Sequence, residues 1–176
     1  MNVRHARAQA EQIIRRFKLG AQDLPIDVKK IAEDLGLTVN ETILDKDVSG
    51  LLIKQKLDGE AANIFVNKSE NPKRRRLTIA HEIGHYVLSH EFDSTGVHVD
   101  RGIHAIPRRS KLAKVEPKEV EANQFAATLL MPAQLVQDAV DALGLPLFEY
   151  HIDDLADRFN VSVQAMTIRL GTLGIL

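Results

Sequence analysis

Apolar residues recur at helical spacing in residues 6–18, where Ala6, Ala10, Ile13, Ile14 and Phe17 share one face and Gly20 marks a stop. A second helical pattern follows in LPIDVKKIAEDLGL, with Ile26 and Asp27 near its start, Ile31, Ala32 and Leu35 facing the core, and an end near Gly36. The period then shortens. TVNETI reads as a strand, and Leu51 to Lys56 with Asn63 to Val66 read as a hairpin joined by a turn holding Asp58 and Gly59. Asn71-Pro72 is a helix-start signal, because asparagine accepts from free amides and proline is harmless at the first helical position; the helix is predicted to run to about His90. From Phe92 to Glu116 no period is sustained, which predicts a long loop with one strand near Ile103 to Arg108. A further helix is predicted from Pro117 through KEVEANQFAATLL, and two short helices around Asn160 occupy residues 150–170.

The predicted fold class is α+β: helices packed on a small, mostly antiparallel sheet. The expected organisation is a single domain, with a core over residues 1–145 and a helical cap of helix-turn-helix type over 146–176. Composition narrows the chemistry. With no cysteine, thiolate zinc sites, disulfides and cysteine nucleophiles are excluded, so any metal ligand is His, Asp or Glu. The net charge of -1 and the pI near 6.7 create no global field toward nucleic acid or anionic membranes. Neither a signal-peptide pattern nor a bilayer-length apolar run occurs, and the expected location is the cytoplasm.

The segment TIAHEIGHYVLSH carries the chemistry. Residues four apart on a helix differ by about 40° around the axis and about 6 Å along it, so His81 and His85 can address one ion, with Glu82 beside it to take a proton from water. A catalytic zinc needs a third protein ligand and an open position. His90, five residues beyond His85, would be turned about 140° around a continuing helix and point away from the metal, and is expected to pack or hydrogen-bond at the helix end. The pattern HExxHxxGxxH also fails, since Leu88 and Glu91 stand at its glycine and third histidine. The later helix offers Glu119 and Glu121, about 200° apart, so only one can face a metal. Glu119 borders the face marked by Ala122, Phe125, Ala126, Leu129 and Leu130, and Asn123 is placed to accept the outer N–H of a ligating histidine.

TIAHEIGHYVLSH followed by EVEANQFAATLLMP, and preceded by GLLI, IFVN and RRRLTIAHE, resembles the ImmA/IrrE family of zinc metallopeptidases over roughly residues 24–170. The resemblance implies a zincin-like fold holding one zinc ion per chain, with His81, His85 and Glu119 as metal ligands and Glu82 as general base. Asn123 stands where other His-His-Glu zinc peptidases carry aspartate. The implied activity is endopeptidase, acting on a helix-turn-helix repressor or antitoxin. The alternative is a metal-containing regulatory module that docks a repressor or DNA without cutting it; retention of Glu82 favours hydrolysis, because a binder needs the ligands but not the base. A divalent ion other than zinc, such as manganese, fits the same donor set.

Further expectations concern the surroundings. Asn63 to Val66 is expected to hold substrate as an added strand. His98, His104 and Tyr86 qualify by chemical type as donors to the developing oxyanion, each with an ordinary loop or core role as the alternative. Ala156, Asn160 and Val161 match the packing, turn and anchor positions of a helix-turn-helix, whose second helix would offer Gln164, Thr167 and Arg169 to DNA; a purely structural cap is the competing reading. The basic runs KRRR (73–76) and RRSK (108–111) could assist such DNA binding, the ordinary alternative being that they face solvent.

Overall fold

A computed structural model of the chain describes residues 2–54, 62–91, 96–101, 116–144 and 146–176. Seven helices and four strands occur among them: α1 (Val3–Arg16), α2 (Val28–Asp34), β1 (Thr38–Thr42), β2 (Gly50–Ile53), β3 (Asn63–Asn67), α3 (Pro72–Val87), β4 (Val97–Asp100), α4 (Pro117–Leu130), α5 (Ala133–Leu143), α6 (Glu149–Arg158) and α7 (Val163–Thr172). The architecture is α+β, as the patterning predicts. Local chemistry sets the helix starts. Asn2, Asp27, Asn71 and Ser162 each accept from backbone amides of the following turn, and Pro72 and Pro117 occupy first-turn positions where no amide partner is lost.

The sheet order is β1-β3-β2-β4, with β1 parallel to β3 and the other two pairings antiparallel. Strand β3 therefore lies inside the sheet, bonded on both sides. The expectation that Asn63 to Val66 receives a peptide as an extra strand is incorrect, because β1 and β2 already occupy its backbone groups. The expected turn at Asp58 and Gly59, the strand near Ile103 to Arg108, His104 and the run RRSK lie outside the described residues. Strand β4 was not predicted. Its entry turns on Gly96, at φ +69°, where a Cβ would stand 2.8 Å from the Lys54 carbonyl oxygen that the turn brings close.

Helix α3 lies between the sheet and α4 and is buried from Thr78 to His85. Two glycines allow this. At Gly50 a Cβ would meet the Thr78 side chain at 2.4 Å, so β2 and α3 approach to backbone distance. At Gly84 a Cβ would meet Phe125 at 3.1 Å and the Ala122 backbone at 3.2 Å, so α4 packs directly on the helix carrying the two histidines. Ala6, Ala10 and Ile13 of α1 join the same apolar cluster, which also includes Leu155, Phe159, Met166 and Leu170 of the C-terminal helices. Among the described residues, no helix is long and apolar enough to cross a membrane.

The KRRR run is half-buried and paired rather than simply solvated. Lys73 pairs with Asp157, Arg74 with Asp100 and the Ser49 hydroxyl, and Arg75 with Glu41, while Arg76 donates to the Ile26 and Asn160 carbonyls. These contacts tie the start of α3 to α2, the sheet and α6. Arg169 behaves similarly: it is 4% exposed and its Nε donates to the Met131 carbonyl at 2.9 Å. The one basic residue of α7 is therefore spent inside the protein, which removes the cation that a DNA-reading role for this helix would use.

Candidate metal centre

His81 and His85 stand one turn apart on α3 with their Nε2 atoms 3.0 Å from each other. Glu119, in the first turn of α4, presents Oε2 to His81 Nε2 at 3.2 Å and Oε1 to His85 Nε2 at 3.3 Å. Burial of Ala122, Phe125 and Ala126 against α3 points this edge of α4 at the histidines. Glu121 is directed elsewhere, as the 200° offset requires; its Oε2 lies 3.2 Å from His90 Nε2.

A fourth group joins them from the unpredicted strand. His98 pairs across from Leu52, which is fully buried, so the His98 side chain shares the sheet face that α3 covers. Its Nε2 lies 3.0 Å from Glu119 Oε1 and its Nδ1 lies 3.2 Å from Glu82 Oε2. The four residues His81, His85, His98 and Glu119 each offer a donor atom, and these atoms all lie within 4.8 Å of one another. Sequence reasoning placed His98 only by chemical type. The signal that could have located it is the alternation Val97-His98-Val99, which puts the histidine on the face opposite its two valines.

The outer nitrogens of the two α3 histidines are also engaged. His81 Nδ1 donates to Asn123 Oδ1 at 3.0 Å, the contact expected from spacing. His85 Nδ1 lies 2.9 Å from His90 Nδ1. A carboxylate only accepts, so His90 Nε2–H donates to Glu121, which leaves His90 Nδ1 to accept from His85 Nδ1–H. Both histidines thereby turn an Nε2 lone pair toward Glu119. His90 hydrogen-bonds at the helix end as expected, but the expectation of a continuing helix that turns it away is incorrect. Helix α3 ends at Val87, Ser89 adopts φ +53°, and the chain folds back so that His90 N–H bonds the His85 carbonyl. His90 stands behind His85, outside the converging donor atoms.

Glu82 is fully buried, and its Oε1 has no hydrogen-bond partner among the described residues. Burial raises its pKa, against the lowering effect of the His98 contact and the neighbouring histidines. A Cβ at Gly50 would come within 3.5 Å of that same oxygen, so the glycine keeps space open beside it. Burial lowers the pKa of His85 to about 3. Burial also opposes charge on His98, but hydrogen bonds to Glu119 and Glu82 outweigh it and hold its pKa near 10. Glu119 is shifted down because its contacts with His81, His85 and His98 overcome its own burial. A cavity of about 360 Å³ opens over the cluster, with His85, His98, Glu119, Val97 and Lys118 in its wall.

This donor chemistry fits a borderline divalent ion. Two imidazoles and a carboxylate, mutually 3.0–3.3 Å apart, approach the spacing of about 3.3 Å between ligands around a tetrahedral zinc with bonds of 2.0–2.1 Å. The orphaned Glu82 oxygen supplies a proton acceptor beside them.

The model of a peptidase family described as the IrrE N-terminal-like domain matches residues 32–171. The chain is 34% identical over 87 residues to the radiation response metalloprotease IrrE of Deinococcus deserti, a stretch covering 49% of this chain and 28% of that protein. It is 32% identical over 87 residues to the protein of the same name from Deinococcus radiodurans, covering 49% of this chain and 24% of that one. The matched stretch thus spans about a quarter of the length of these curated relatives.

Proposed function

Because the chain belongs to the family of the IrrE N-terminal-like domain, we propose that it is a zinc-dependent endopeptidase whose metal is held by His81, His85 and Glu119. The observation that carries this reading is the convergence of those three side chains beside Glu82, a fully buried carboxylate with an unpartnered oxygen. A zinc ion bound there supplies Lewis acidity, polarising a peptide carbonyl and making water a better nucleophile at neutral pH.

The rest of the mechanism belongs to the chain. Glu82 accepts the proton of the attacking water at the open oxygen and passes it to the leaving amine. Its raised pKa suits both halves of that task, since a more basic carboxylate takes a proton more readily and still releases it to an amine. Asn123 fixes His81 in the tautomer that leaves its Nε2 lone pair inward, and the His90–Glu121 pair does the same for His85. Gly50 keeps the approach to Glu82 free of a side chain.

For the substrate we propose a helix-turn-helix repressor or antitoxin, on the strength of the resemblance to the ImmA/IrrE family. The test is incubation of the protein with the repressor encoded beside its gene, with zinc and with a chelator. The expected result is a discrete cut that the chelator abolishes. A repressor left intact under zinc overturns the substrate assignment, and a cut indifferent to the chelator overturns the metal dependence.

A further inference from the structure

We infer that His98 is a fourth protein ligand of the metal, so that the resting centre is closed by three histidines and one glutamate. The inference rests on the metal-site reading above and adds a residue to it. Three observations carry it. His98 Nε2 is 3.0 Å from Glu119 Oε1, the same separation within a few tenths of an ångström that His81 and His85 keep from that carboxylate. The donor atoms of all four residues fall within 4.8 Å of one another, as the corners of a single coordination shell must. The His98 ring also lies against that of His85, with centroids 3.9 Å apart and planes inclined by 34°, so the two imidazoles are neighbours in the cluster.

The fold holds His98 there. Strand β4 is registered against β2 from Gly50↔Asp100 to Ile53↔Val97, and Asp100 is bridged by Arg74 of α3 at 3.5 Å. His98 is thus held by the pairing of β4 with β2 and by the Arg74–Asp100 bridge at the end of the strand, on the face that α3 covers. The consequence is functional. Zinc centres with four protein ligands are closed, whereas catalytic centres keep one position for water or substrate. His98 fills that position with Nε2, and its Nδ1–H occupies Glu82 Oε2, half of the base. Hydrolysis then begins with withdrawal of His98, and the protein rests in a latent state until a bound peptide displaces the imidazole.

X-ray absorption at the zinc edge counts the imidazoles directly, without any turnover. The wild-type protein loaded with one equivalent of zinc is expected to show three imidazoles, and His98→Ala to show two, with zinc affinity lowered at least about tenfold. A wild-type spectrum with two imidazoles overturns the inference while leaving the His81, His85 and Glu119 site standing. Three imidazoles in both proteins also overturn it, since the third would then come from another residue. Failure of the wild-type protein to bind zinc overturns both this inference and the proposed function. Should His98→Ala not fold, His98→Gln takes its place, with two imidazoles expected and three overturning the inference.

Discussion

His90 Nδ1 stands 2.9 Å from His85 Nδ1, and His90 Nε2 is held in turn by Glu121 of the neighbouring helix. This pair orients His85 from behind, in the way that carboxylates and carbonyls commonly orient metal-bound imidazoles. Replacing His90 by Ala should lower zinc affinity about 10–100-fold while leaving the circular dichroism spectrum unchanged. Glu121→Gln should have a smaller effect in the same direction, because an amide oxygen still accepts from His90 Nε2–H. Competition with a chromophoric chelator measures both, and wild-type affinity in His90→Ala would remove the orienting role.

Gly84 and Phe125 set the approach of α3 and α4. A Cβ at Gly84 would lie 3.1 Å from the Phe125 ring and 3.2 Å from the Ala122 backbone, which cannot yield without separating the helices. Gly84→Ala should therefore destabilise the protein by about 1–3 kcal/mol, the usual cost of overpacking. It should also weaken zinc binding, because Glu119 rides on the displaced helix. Urea denaturation with and without zinc tests both effects.

Arg169 donates from a buried position to the Met131 carbonyl. Arg169→Met keeps much of the apolar stem but removes the donor, and should cost about 1–3 kcal/mol in stability. Retention of the variant on duplex DNA should match the wild type at every salt concentration, since this side chain does not face outward.

Glu41 joins Lys29 and Arg75, and its pKa is lowered chiefly by the Lys29 hydrogen bond, with partial burial opposing. A carboxylate with a depressed folded pKa stabilises the fold above its unfolded value near 4.5, and that contribution disappears as pH falls through the folded value. Because these are surface groups, Glu41→Gln should cost about 0.2–1 kcal/mol at pH 7 and nothing once the wild-type carboxyl is protonated. Thermal melts across pH 2–7 should bring the two proteins together at the acid end.

How far the sequence carries the account depends on the range of the forces involved. Helix α3, its Asn71-Pro72 start and the four-residue spacing of His81 and His85 are local, and were legible at once. Glu119 could be singled out because a helix fixes which positions share its buried edge. Strand β4 is four residues long, so the alternation Val97-His98-Val99 is a faint local signal, and the convergence of His98 with His81, His85 and Glu119 depends on strand pairing that no local pattern encodes. The reversal at Ser89 that brings His90 behind His85 depends on a left-handed residue that serine seldom adopts. The KRRR run looked solvated because its partners Glu41, Asp100 and Asp157 come from distant parts of the chain.

The central claim is that Glu82 moves the proton while His81, His85 and Glu119 hold the metal. Its most direct test is Glu82→Gln, assayed for bound zinc and for cleavage of the same repressor under the same conditions as the wild type. The account predicts one equivalent of zinc in both proteins and loss of cleavage in the variant by at least about 100-fold, the lower end of what general acid–base catalysis contributes. Undiminished cleavage by a zinc-loaded Glu82→Gln protein would contradict it.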